Sequence, residues 1–121
     1  MAHILVADDD LPIATIVATK LKLEGHEVSV VENGHAALEA VKSSRPDLCI
    51  LDVMMPGMDG FQVLVALRAR PDFASVPVVM LTALGEEKHV VRAFKEGAND
   101  FIVKPFSPSE LLVRVERLLA A

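Results

Sequence analysis

Tryptophan and tyrosine are absent from this 121-residue chain, and cysteine occurs once, as Cys49. A single thiol excludes an internal disulfide and any metal centre built from several cysteines. No uncharged apolar run approaches the ~18 residues that span a bilayer. The amino terminus, Met1-Ala2-His3-Ile4, has neither the basic segment nor the apolar stretch of a secretory signal. Basic residues are outnumbered: 12 Lys and Arg against 17 Asp and Glu give a net charge of −5. Phosphate backbones need a basic stripe, so direct binding to nucleic acid is not expected. No low-complexity tract, internal repeat or linker composition divides the chain. The expectation is one soluble, cytoplasmic domain over residues 1–121, able to bury roughly two-thirds of its unfolded surface.

What is present is an alternation. Apolar residues make up 52% of the chain, and they fall into short continuous runs separated by helical patterns. Ile4 to Ala7, Val28 to Val31, Leu48 to Leu51, Val76 to Leu81 and Phe101 to Val103 read as five strands. Pro77 is tolerable near the start of the fourth. Between them, Ile13, Ile16, Val17 and Leu21 recur at spacings of three and four, and Gly25 stops that helix. Asn33-Gly34 opens a second helix carrying Leu38 and Val41. Asp59 with Gln62 forms a capping box for a third. Glu86 and Glu87 favour the amino end of a fourth, which Gly97 stops. Ser107, Pro108 and Glu110 start the last: cap, proline at the first helical position, glutamate at the third.

Strands alternating with helices predict βα units, a parallel sheet and helices on both of its faces. Near-continuous apolar strands suit such burial. In these folds ligands bind beyond the carboxyl ends of the strands, beside the switch in strand order. Every unusual polar residue lies at such an end: Asp8 and Asp9 after the first strand, Asp52 closing the third, Thr82 after the fourth, Lys104 after the fifth. The opposite ends carry nothing comparable. An acid ending a buried strand is costly unless its charge is compensated.

The chemistry of that set is legible. Three carboxylates brought together repel, and the natural neutraliser is a hard divalent cation with oxygen ligands. Magnesium suits two or three acids, with manganese as a substitute. Lys104 adds a positive charge and Thr82 a donor, which together with a cation stabilise a phosphoryl group in transfer. The Asp52 carboxylate is then the nucleophile, and an acyl phosphate the product. No leaving-group acid and no nucleotide cradle is evident, so the site looks built to receive a phosphoryl group.

The segments Ile4-Leu5-Val6-Ala7-Asp8-Asp9-Asp10, Leu51-Asp52-Val53-Met54-Met55-Pro56-Gly57-Met58-Asp59-Gly60, Leu81-Thr82-Ala83, Gly97-Ala98-Asn99-Asp100-Phe101 and Lys104-Pro105-Phe106 together resemble the receiver domains of two-component response regulators. The resemblance covers essentially the full length. It implies a flavodoxin-like (βα)5 fold with strand order 2-1-3-4-5, and Asp52 as phosphoacceptor. It implies that Asp9 coordinates magnesium directly, that Asp8 assists through water, and that the Met54 carbonyl completes the protein ligands. Thr82 would move to the phosphoryl group, Lys104 would pair with it, and the Lys104-Pro105 peptide would be cis. The implied donor is a sensor histidine kinase, a histidine phosphotransfer protein or a small acyl phosphate. The implied output surface is the fourth helix, fifth strand and fifth helix. Glu110, Arg114 and Asp100 fit a homodimer there, although Val90 and Asn99 stand where charges are common. An output domain or effector would lie outside this chain.

Two positions depart from the commonest pattern. The switch position carries Phe101 rather than tyrosine; its ring can swing inward, but it has no hydroxyl to report the movement. Met54 and Leu84 are apolar where hydrolysis is tuned, so a long-lived phosphoryl group is expected. Other residues have plainer readings: Asp10 and Asp59 as caps, Asp100 as a turn residue, Cys49 as core, and His3, His26, His35 and His89 as surface groups without metal spacing. Three rival functions are weaker. A flavin module would need a hydroxyl- and glycine-rich phosphate loop and aromatic rings. An aspartyl-phosphate hydrolase would need a second acid at position 54 and a substrate cap. A constitutive docking module would leave the complete acceptor set without use.

Overall fold

The computed structural model describes residues 2–83 and 85–121. Strands β1 (His3–Ala7), β2 (Glu27–Val31), β3 (Leu48–Asp52), β4 (Val78–Thr82) and β5 (Asp100–Val103) alternate with helices α1 (Leu11–Leu23), α2 (Gly34–Ser44), α3 (Gly60–Arg68), α4 (Glu87–Lys95) and α5 (Pro108–Ala120). A 3₁₀ turn, Pro71–Phe73, intervenes between α3 and β4. The five strands form one parallel sheet of order β2-β1-β3-β4-β5.

Successive residues of a strand face opposite sides of the sheet, and the core divides accordingly. Ile4, Val6, Leu48, Ile50, Val79, Leu81 and Ile102 pack under α1 and α5. Leu5, Ala7, Cys49, Leu51, Val78, Met80 and Phe101 pack under α2, α3 and α4. The central strands β3 and β4 are buried throughout, whereas β2, at the edge, is half-exposed. Cys49 is core as expected, and burial pushes its thiol up to about 12.

Helix starts follow local chemistry. Asp10, Asn33, Asp59 and Ser107 each accept a hydrogen bond from the backbone N–H three residues on. At α3 the capping box is complete, with the Gln62 side chain accepting from the Asp59 N–H. Strand β4 begins at Val78, two residues later than the apolar run. Pro77 has no N–H for the ladder, although its carbonyl still accepts from the Cys49 N–H at 2.9 Å.

The end of the sheet where its strands begin is tied by Arg68. Its guanidinium donates to the carbonyls of Gly97 and Phe73 and to Asn99 Oδ1, at 3.0, 3.1 and 3.0 Å. The same Asn99 oxygen accepts from the Val78 N–H. The expectation of surface histidines fails for His26, whose side chain is only 10% exposed; its Nδ1 accepts from the Ala2 N–H. Among the described residues no helix is long and apolar enough to cross a membrane.

Candidate functional site

Three strand ends converge beside the β1/β3 junction, where the strand order reverses. Asp8 follows β1, Asp52 is the last residue of β3, and Lys104 follows β5. Parallel strands all finish at one edge of the sheet, so these side chains meet although the chain separates them widely. Asp8 and Asp52 are 1% and 4% exposed, and Asp9 stands exposed beside them. Oxygens of Asp8, Asp9 and Asp52 all lie within 4.8 Å of one another.

The Lys104 ammonium donates to Asp52 Oδ2 at 2.9 Å and lies 3.0 Å from Asp8 Oδ2. Asp52 Oδ1 accepts from the Met54 N–H at 3.1 Å, and Asp8 Oδ1 from the Asp10 N–H at 2.9 Å. Asp8 Oδ2 is buried, with the Lys104 ammonium 3.0 Å away as its ion-pair partner. Burial pushes the Asp52 carboxyl up to about 6; Lys104 and the Met54 amide oppose the rise, and Asp8 adds to it. Burial also works against the Lys104 charge. The hydrogen bond to Asp52 and the charge of Asp8 outweigh it, holding the ammonium above the ordinary lysine range.

One lysine therefore contacts two of three clustered carboxylates, leaving the cluster short of positive charge. Three acids within reach of one another, two of them buried, are the donor set of a hard dication. The residues fit magnesium.

Thr82 is fully buried at the end of β4, and its carbonyl accepts from the Lys104 N–H at 2.8 Å. The Lys104–Pro105 peptide bond is cis. Met54 is 59% exposed at the mouth of the site. Leu84, the other position expected to tune hydrolysis, lies outside the described residues.

Several expectations need correction. Phe101, whose ring can swing inward on the sequence reading, already has it inside: it is 8% exposed and belongs to the cluster containing Ala93 and Ala98. A phenyl ring has no hydroxyl to keep hydrated, so burial is its lower-energy place. Asp100 is the first residue of β5 rather than a turn residue, and it pairs with Arg114 at 2.8 Å. Arg114 also pairs with Glu110 at 3.1 Å, so the charges expected to bridge two copies are matched within one.

Two glycines packed against the segment of residues 52–58 have a role that sequence reasoning does not give them. A Cβ on Gly60 would collide with the Asp52 carbonyl, and one on Gly34 would collide with the Met58 carbonyl. Their only signal was a glycine at a first helical position, where most residues are allowed.

Comparison with known proteins accords with this geometry. Residues 4–116 match the family model described as the response regulator receiver domain. The chain is 46% identical over 117 residues to the DNA-binding response regulator MtrA of Mycobacterium tuberculosis, covering 97% of this chain and 50% of that protein. It thus spans about half the length of the curated relatives it matches. The receiver domain of Francisella response regulator 1452 superposes with a TM-score of 0.93 at 35% identity, covering 99% of this chain and 98% of that one. The chemotaxis response regulator CheY4 of Vibrio cholerae gives 0.92 at 34%, covering 98% of each. With its parallel sheet, its acid cluster and these relatives, the chain belongs to the response regulator receiver domain family, the signalling-switch module of two-component systems.

Proposed function

We propose that Asp52 is the phosphoacceptor of this receiver. A carboxylate oxygen attacks phosphorus, the bond from phosphorus to the donor breaks, and the donor leaves with that electron pair; the product is an aspartyl phosphate. The carrying observation is the Lys104 ammonium 2.9 Å from Asp52 Oδ2, beside Asp8 and Asp9. Asp8, Asp9, Asp52 and the Met54 carbonyl would hold magnesium, which supplies charge neutralisation for the phosphoryl oxygens. Lys104 adds a fixed positive charge on the same side. The Met54 N–H holds one Asp52 oxygen in place. Thr82, at the end of the adjacent strand, is the donor that moves to the phosphoryl group.

The donor is a phosphohistidine on a sensor kinase or phosphotransfer protein, or a small acyl phosphate. The chain acts on itself rather than turning over a separate substrate, as one domain over residues 1–121 in the cytoplasm. Adding about −1.5 to −2 charge at Asp52 biases a two-state equilibrium in the α4-β5-α5 face toward a form that engages a partner. By analogy with MtrA, which is twice as long and is named a DNA-binding regulator, that partner is an output domain. A homodimer through Arg114, Glu110 and Asp100 would exchange their intrachain pairs for interchain ones.

Intact mass after incubation with acetyl phosphate, with and without magnesium, tests the reading. One phosphoryl group is expected, dependent on magnesium and lost in Asp52→Asn. No gain, under conditions that modify a known receiver, would favour a constitutive docking module.

A further inference from the structure

We propose that Gly34 is a positioning residue for the acceptor site, setting by its lack of a side chain where the loop of residues 53–59 sits. The inference rests on the reading of Asp52 as acceptor. Gly34 is the first residue of α2 and is buried. Its backbone is not in the left-handed region, so glycine is not there for conformational freedom. The Asn33 cap ahead of it would accept almost any residue at this place. What excludes a side chain is space: a Cβ would run into the Met58 carbonyl oxygen and stand 2.8 Å from Met58 Cβ and 3.0 Å from Met58 Cγ. A carbonyl cannot rotate away as a side chain can, so backbone has to move.

The loop is the side that yields. Helix α2 is fixed by the Asn33 cap and by Ala37 and Val41 in the core. The loop is exposed at Met54, Pro56 and Gly57, while Met55 between them is anchored in the same core as Ala37 and Val41. Its far end is fixed, since the Gly60 N–H donates to the Val53 carbonyl at 3.0 Å and Gly60 packs on the Asp52 carbonyl. Displacement at Met58 is therefore passed back to Met54. That residue supplies both the N–H on Asp52 Oδ1 and the carbonyl assigned to magnesium.

Gly34→Ala tests this beside Gly25→Ala. Gly25 also needs its glycine, through a φ of +91°, but has nothing within 4 Å of a new Cβ. The two variants thus separate lost stability from a displaced site. Magnesium affinity by calorimetry, the metal-free amide resonances of Asp52 and Met54, and urea stability are measured on both. Gly34→Ala is expected to shift those resonances and weaken magnesium binding about tenfold, since ångström-scale misplacement costs up to about a hundredfold. Gly25→Ala should lose stability with native magnesium affinity. A folded Gly34→Ala with unshifted resonances and native affinity overturns the proposal. If that variant does not fold, Gly34→Ala is combined with Met58→Gly, which removes Met58 Cβ and Cγ and leaves the carbonyl in the way; the proposal expects shifted Asp52 and Met54 resonances and weaker magnesium binding, and falls if both are native. Failure of the native chain to take up a phosphoryl group would sink the acceptor reading itself, a result separate from either variant.

Discussion

Lys104 and Asp52, 52 residues apart in sequence, are joined by a 2.9 Å hydrogen bond between ammonium and carboxylate. The same ammonium faces Asp8, so one positive charge serves two buried acids. Removing one partner of a buried ion pair strands the other, at a cost of roughly 3 kcal/mol. Lys104→Met is expected to lower stability by about that amount near neutral pH. The loss should shrink once acid protonates Asp52. On the alkaline side, the raised lysine makes its contribution fully below 10.5 and loses it as pH climbs through the folded value. Urea unfolding at pH 4.5 and 7.5 checks the acid arm, and equal losses at both would contradict the charge pairing.

Asp52→Asn should do the opposite, because Asp8 still pairs with the Lys104 ammonium. Burial raises the Asp52 carboxyl from 3.8 to about 6, so the native state binds more protons than the unfolded chain between those values. Native stability from this group is therefore full below 3.8 and falls as pH rises toward 6. Asparagine carries no such penalty. The variant should gain on the order of 1–3 kcal/mol over the native protein above pH 6, and nothing from this source below pH 3.8. A stability difference flat across pH 3.5–7.5 would show that Asp52 titrates normally.

The loop of residues 53–59 depends on a close approach at its end. Gly60→Ala drives a methyl group into the Asp52 carbonyl, and a loss of at least about 3 kcal/mol is expected, in the range of severe overpacking. Gly57→Ala meets no atom within 4 Å and has only its φ of +75° to overcome, for which about 1–2 kcal/mol is expected. Thermal unfolding of the two variants ranks them. The reverse order would mean that the loop is free to move off the strand end.

Met54, exposed at the mouth of the site and apolar, cannot orient an attacking water. Replacing it by asparagine, together with Leu84→Glu, is expected to shorten the aspartyl-phosphate lifetime at least several-fold, because each polar group can position water for hydrolysis. Loss of phosphoprotein mass over time measures it. An unchanged or longer lifetime would remove these positions from the control of hydrolysis.

Much of this was readable in order along the chain. The caps at Asp10, Asn33, Asp59 and Ser107 are local signals, since donor and acceptor lie three residues apart. The 3₁₀ turn at Pro71–Phe73 leaves no sequence signal, because three residues carry no period. Arg68 is silent in the sequence for a different reason: its partners Gly97 and Asn99 are 29 and 31 residues away, and nothing near Arg68 announces them. In sequence, Asp100, Glu110 and Arg114 look like charges for a second copy. Only the folded chain brings β5 and α5 side by side and closes them on one another.

The sequence by itself determined the alternation of strands and helices, and with it the edge at which Asp8, Asp52, Thr82 and Lys104 gather. Apolar period and capping are properties of neighbouring residues, and parallel strands must all end on one side. Tertiary structure alone decided which groups touch: the ammonium shared by Asp52 and Asp8, the ring of Phe101 already packed inside, and the bare Cα of Gly34 under the Met58 carbonyl. Those contacts depend on how far each helix stands from the sheet. That distance is fixed by side-chain volumes summed across the core and is written in no single stretch of chain.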